Sequence, residues 1–272
     1  MTEVAATRFR AFAVRTVLAG KYRSAWGLTA RAGRVIGDNG AVRAELRDLL
    51  TANLSAAGAG EQDRVNLIGA LGSLKDEEAV PMLREIVGWS QDPSKQEKEL
   101  PTIEAAAVAL GKIGSQAAVG DLALLLFGTL EHKADIRLWP AAANSLLAIP
   151  GKIEPEARAV FKAHAVVGAY ANDWLWQDHM TFHGEILPGR VSAKPVIRLG
   201  KDAMKALPHA FDIAPAMHRE LLTLMLICDC AAGEKFANVL LDRLRIDAIS
   251  GLDHGTIVSL IAKAQLGKLK LA

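Results

Sequence analysis

Apolar residues return along this chain at helical spacing, and blocks with that spacing recur at a fixed interval. RVNLIGALGSL at 64–74, TIEAAAVALGKI at 102–113 and PAAANSLLAI at 140–149 set aliphatic residues three and four apart, the period of one buried helix face. Blocks of a second kind, AVRAELRDLL at 41–50, EAVPMLREIV at 78–87 and AAVGDLALLLF at 117–127, each follow a short polar break. No convincing alternation of apolar and polar residues appears, so little or no sheet is expected.

The breaks are in register. They read AGRVIGD at 32–38, LGSLKD at 71–76 and LGKIGS at 110–115. Gly33, Gly72 and Gly111 are 39 residues apart, as are Val35, Leu74 and Ile113. SLLAIPG at 145–151 follows at a slightly shorter step. Small residues late in the first helix permit close helix approach, glycine lets the chain turn, and the following Asp or Ser is placed to cap the next helix. The order resumes in VIRLGKDAMKALPHAF at 196–211 and LLTLMLICDCAAGEKFANVLLDRL at 221–244, with 253–266 as a final capping helix. Pro101, Pro140, Pro155, Pro195 and Pro215 mark helix starts, where a first-turn proline costs no hydrogen bond. The pattern predicts an all-α solenoid of roughly 12 to 14 helices, each hairpin completing its core on its neighbours. An irregular helical bundle is the alternative arrangement.

The recurring ALG-x-[IL]-[GK]-[DS]…A…L…L resembles HEAT repeats, particularly the short form seen in phycobilisome-lyase-type proteins. The resemblance covers residues 27–150 and, less closely, 194–246. It implies a stack of hairpins whose second helices line a concave surface, and it leaves function open. The leading expectation is a non-enzymatic protein–protein interaction module: a scaffold, an adaptor or an inhibitor of a partner enzyme. A lyase-like function rests on the short-repeat resemblance alone.

The repeat is interrupted at 171–192, ANDWLWQDHMTFHGEILPGRVS. The expected organisation is an N-terminal stack over 1–170, an insertion or junction over 171–192, and C-terminal repeats over 193–272. Trp174, Trp176, Met180 and Phe182 either plug a junction or, with Asp178, His179 and His183, form a partner-binding loop with aromatic anchors. His179 and His183 have the i, i+4 spacing of two metal ligands, yet Met180 stands where an HExxH motif has Glu. Deoxyhypusine-hydroxylase-like HEAT proteins hold iron through His-Glu dyads, and this chain has no His-Glu dipeptide. No metal and no cofactor are expected. Trp174 and Asp178 loosely resemble the lesion-site composition of the HEAT-like alkylpurine DNA glycosylases.

Charge bears on that last resemblance. Residues 1–50 hold nine Arg/Lys against four Asp/Glu, and 51–272 hold 23 against 26. A nucleic-acid partner on the basic N-terminal helices is therefore the alternative function, but the groove of a glycosylase should be basic throughout. Arg43 and Arg47 share a helix face, and Arg47 and Arg84 occupy equivalent positions in successive second helices. They form either a ladder for carboxylates or phosphates or a solvated face paired with Glu45 and Asp48. The chain is 51% hydrophobic and 23% charged, ample apolar material for a folded core. Cys228 and Cys230 read as core cysteines of a reducing compartment. His164 and His218 read as ordinary helical residues. There is no secretory-type N-terminus, no apolar run long enough to span a bilayer, no phosphate loop and no Ser/His/Asp constellation. A cytoplasmic protein without catalytic residues, monomeric or homodimeric, is expected.

Overall fold

A computed structural model describes residues 40–56, 60–129, 132–182 and 192–270, with the side chains of 176–182 excepted. Among the described residues there are thirteen α-helices and no strand, so the fold is all-α. The chain divides into two compact units. Among the described residues, those up to 132 and 144–152 form unit 1, and 133–143 with those from 153 on form unit 2.

In unit 1, α1 (Gly40–Ser55), α2 (Glu61–Ser73), α3 (Val80–Gly88), the four-residue α4 (Pro93–Gln96), α5 (Leu100–Ile113) and α6 (Val119–Phe127) follow in order. They are joined by the end of α7 (Trp139–Ala148). The predicted register becomes structure here. A 3-10 turn leads into α3 at Glu77–Ala79 and into α6 at Gln116–Ala118, and each boundary of one pair lies 39 residues from that of the other. Leu83, Ile86 and Val87 are buried in α3, and Leu122, Leu125 and Leu126 are buried in α6 at the equivalent places.

The landmark glycines are where the helices meet. A Cβ on Gly72 would lie 2.7 Å from the Cα of Ala109, and one on Gly111 would lie 2.7 Å from the Cα of Ser145. Ala109 and Ser145 are themselves equivalent across the shorter step, since Ile113 and Ile149 each stand four residues on. So α2 packs on α5 as α5 packs on α7, at backbone contact. The turn expected at these glycines lies three residues later, at Lys75 (φ 52°) and Gly114 (φ 83°), again 39 apart. Gly114 suits the left-handed conformation and Lys75 adopts it under strain. Asp76 and Ser115 stand at the N-cap positions, but neither side chain makes a capping bond.

Unit 2 begins with the 3-10 turn Ile136–Leu138 and the start of α7, then α8 (Pro155–Phe182), α9 (Lys194–Leu199), a 3-10 segment (Gly200–Lys205) and α10 (Leu207–Ile213). A further turn, Pro215–Met217, leads into α11 (His218–Cys228), α12 (Cys230–Arg243) and α13 (His254–Gln265). All six residues from Leu221 to Leu226 are buried, because α11 packs against α9, α10, α12 and α13. Over these six residues the helix is covered on all sides and needs no polar face. Gly168 lets α8 close on α7, since a Cβ there would lie 2.7 Å from that of Trp139. Asp253 caps α13 by accepting from the Thr256 amide at 2.6 Å. The prolines stand as predicted: Pro101, Pro140, Pro155 and Pro195 in first turns, and Pro215 opening the turn before α11.

The boundary placed at 170/171 falls inside α8, which runs on to Phe182; no Gly or Pro occurs from Ala169 to Phe182, so nothing in the sequence stops the helix. Cys228 ends α11, Cys230 starts α12, and Asp229 between them caps α12 through the Ala232 amide at 3.1 Å. Gly33, Val35 and His183 lie outside the described residues.

Candidate functional site

The arginines singled out on the second helices lie in unit 1. Arg47 of α1 donates to Asp76 and pairs with Glu78, both at 2.6 Å. Asp76 is buried, so its carboxylate is held by the guanidinium in place of water. Arg84 of α3 reaches Asp121 of α6 at 2.5 Å. Each arginine thus ties its own second helix to the next 3-10 turn or helix. The intrahelical partners Glu45 and Asp48 are not the ones used by Arg47. Arg43 is half-buried on α1.

Trp174 is half-buried on α8. The side chains of Trp176, Asp178, His179 and Phe182 lie outside those described, as does His183 altogether. The aromatic segment therefore enters as a helical stretch of backbone as far as Phe182.

Unit 2 brings together a group that the sequence did not single out. Trp139 is fully buried, with its ring centroid 4.6 Å from that of His164 and 4.7 Å from that of His209. His164 of α8 is 1% exposed and His209 of α10 is half-buried. The Val160 carbonyl lies 2.9 Å from His164 Nδ1. A carbonyl only accepts, so Nδ1 carries the proton and Nε2 of the neutral ring carries the lone pair. That Nε2 lies 3.3 Å from His209 Nδ1, which is then the donor. Burial pushes the His164 pKa down to about 4, against the Val160 bond and with a smaller push from His209. Burial also lowers that of His209, opposed by Asp212. Both rings are neutral at physiological pH.

The other candidate chemistry is quiet. Burial raises the Cys228 thiol to about 11, which makes it a poor nucleophile, and both cysteines are free. His218 stacks on Phe211 at 4.1 Å and points its two ring nitrogens at the carbonyls of Phe211 (3.0 Å) and Ser250 (3.2 Å), a clamp between α10, α11 and the loop before α13. Among the described residues no group of three or more His, Cys, Asp or Glu side chains is placed to hold a metal ion. No helix among them is long and apolar enough to cross a membrane.

Three of the exposed large apolar residues stand on α6. Val119, Leu124 and Phe127 are 38%, 41% and 45% exposed. Thirty-nine residues earlier, α3 carries buried Val80 and exposed Glu85 and Gly88. The two helices match where they are buried and differ where they face out.

No family model matches this chain, and neither a curated protein nor a solved structure is significantly similar to it.

Proposed function

We propose that the chain is a non-enzymatic protein-interaction module of the HEAT-like solenoid kind. Its partner is another protein, gripped along the outward faces of the second helices, with the Trp174–Trp176 segment as a further contact. The observation that carries the reading is the pair α3 and α6. They keep one register of buried Leu and Ile/Val positions while the outward positions change from Glu85 and Gly88 to Leu124 and Phe127. A scaffold that repeats its core and varies its surface is suited to recognition, and an exposed apolar patch is where a partner gains most by excluding water. The nucleic-acid alternative is weakened at Arg47 and Arg84, whose charges are matched by Asp76, Glu78 and Asp121.

The test is capture from native lysate on the purified protein, run beside a Leu124→Glu/Phe127→Glu variant and a Trp174→Ala/Trp176→Ala variant. A stoichiometric protein retained by the parent and lost from the first variant supports the reading, with an expected affinity loss of about 30-fold or more. Recovery of nucleic acid alone at low salt, or of nothing, overturns it.

A further inference from the structure

We infer that the His164–His209 pair beneath Trp139 is an acid-release latch, holding α8 to α10 while both imidazoles are neutral and letting them part when the pair takes up protons. The geometry dictates the direction. His164 Nδ1–H is engaged by the Val160 carbonyl, so the one place left for a proton on that ring is Nε2. That nitrogen is the acceptor of the bond from His209 Nδ1. Protonating it sets N–H against N–H at 3.3 Å, removes the link between α8 and α10, and leaves a charge on a ring 1% exposed against the side of an indole. The other site, Nε2 of the half-buried His209, has Asp212 one turn along α10 to favour its charge. A first proton therefore goes to His209 and leaves its Nδ1–H donor in place; the second, on His164 Nε2, meets a like charge and breaks the bond.

Charged groups on the surrounding elements have partners of their own. Lys205, on the 3-10 segment packed against α8, is paired with Glu156 and stands near Asp202. Arg137, on the turn before α7, is paired with Asp135 at 2.7 Å. Asp212 acts on His209, and His209 in turn acts on His164.

Both histidines bind a proton more readily in an opened unit 2 than in the closed one. The latch is therefore fully engaged above about pH 6.5, the ordinary histidine value, and weakens as pH falls from there toward 4. With the His164 value near 4, the closed state loses about 30-fold of its advantage by pH 5. Unit 1 has no buried histidine among its described residues and serves as the internal reference.

The experiment is hydrogen exchange on the full chain at pH 7.5 and 5.0, corrected for intrinsic rates. Protection in peptides covering 155–170 and 207–213 should fall about 30-fold relative to α5. In His164→Gln, whose amide oxygen still accepts from His209 but which takes no proton, the fall should shrink to a few-fold. Nitrogen and carbon NMR of the histidines in the unaltered protein gives a second measurement that needs no variant. His164 and His209 should both show the Nδ1–H tautomer, and His164 should not titrate between pH 8 and 5.5. An ordinary titration of His164, or unit 2 protection that follows α5 at both pH values, overturns the latch; so does an equal fall in His164→Gln.

Discussion

The two units solve the same packing problem in different ways. In unit 1 a small residue on each first helix meets a small residue on the next, Gly72 on Ala109 and Gly111 on Ser145, and the 3-10 turns and second helices repeat at 39 residues. In unit 2 the 3-10 entry survives at Ile136–Leu138 and Pro215–Met217, but the contacts behind it are each unique. Trp139 lies against two histidines, α11 is buried on all sides, and Gly168 receives the Trp139 side chain. A repeated contact needs only one solution and can be extended by copying. A unique core such as that of unit 2 binds specific groups to one another, and those groups can respond to conditions. Under the two proposals above, recognition rests chiefly on the first unit and acid sensitivity on the second.

The largest test of the contrast is Trp139→Ala. It empties a fully buried indole site, so unit 2 should lose about 4 kcal/mol, read by denaturant unfolding with exchange used to locate the loss. Gly111→Val comes next. Its Cβ would overlap Ser145 at 2.7 Å, so unit 1 should lose about 3 kcal/mol; a neutral result would show that α5 and α7 do not meet at backbone distance. Third, moving from pH 7.5 to 5 should cost unit 2 about 2 kcal/mol from His164 alone, with the sign set by a folded value near 4 against an unfolded value near 6.5. The smallest effect should be a gain. Lys75→Gly relieves a left-handed lysine (φ 52°) at the position where the next repeat has Gly114, and should raise stability by up to about 1 kcal/mol.

These sites differ in how far they could be read in advance. Helix positions in unit 1 were legible because Leu71, Leu110 and their neighbours carry the apolar period twice over. The turn was misplaced by three residues because glycine serves two purposes here, close approach at Gly72 and positive φ at Gly114, and at position 75 lysine stands where glycine would have marked the turn. Arg47 and Arg84, 37 residues apart, hold the same place in AVRAELRDLL and EAVPMLREIV. Their destinations, Asp76 with Glu78 and Asp121, depend on how one hairpin leans on the next, and no local pattern carries that. His164 and His209 are 45 residues apart, with Trp139 another 25 upstream. Only tertiary packing brings the two histidines within 3.3 Å, so His164 read as an ordinary helical residue and His209 did not stand out. The break at 171–192 was legible as a change of composition, but composition did not end the helix.

The most direct test of the recognition assignment is a hydrogen-exchange footprint of the purified complex with the captured protein. New protection over 116–129, covering α6 and the turn before it, is the predicted result. Protection confined to other segments, with 116–129 exchanging as in the unbound chain, would contradict it.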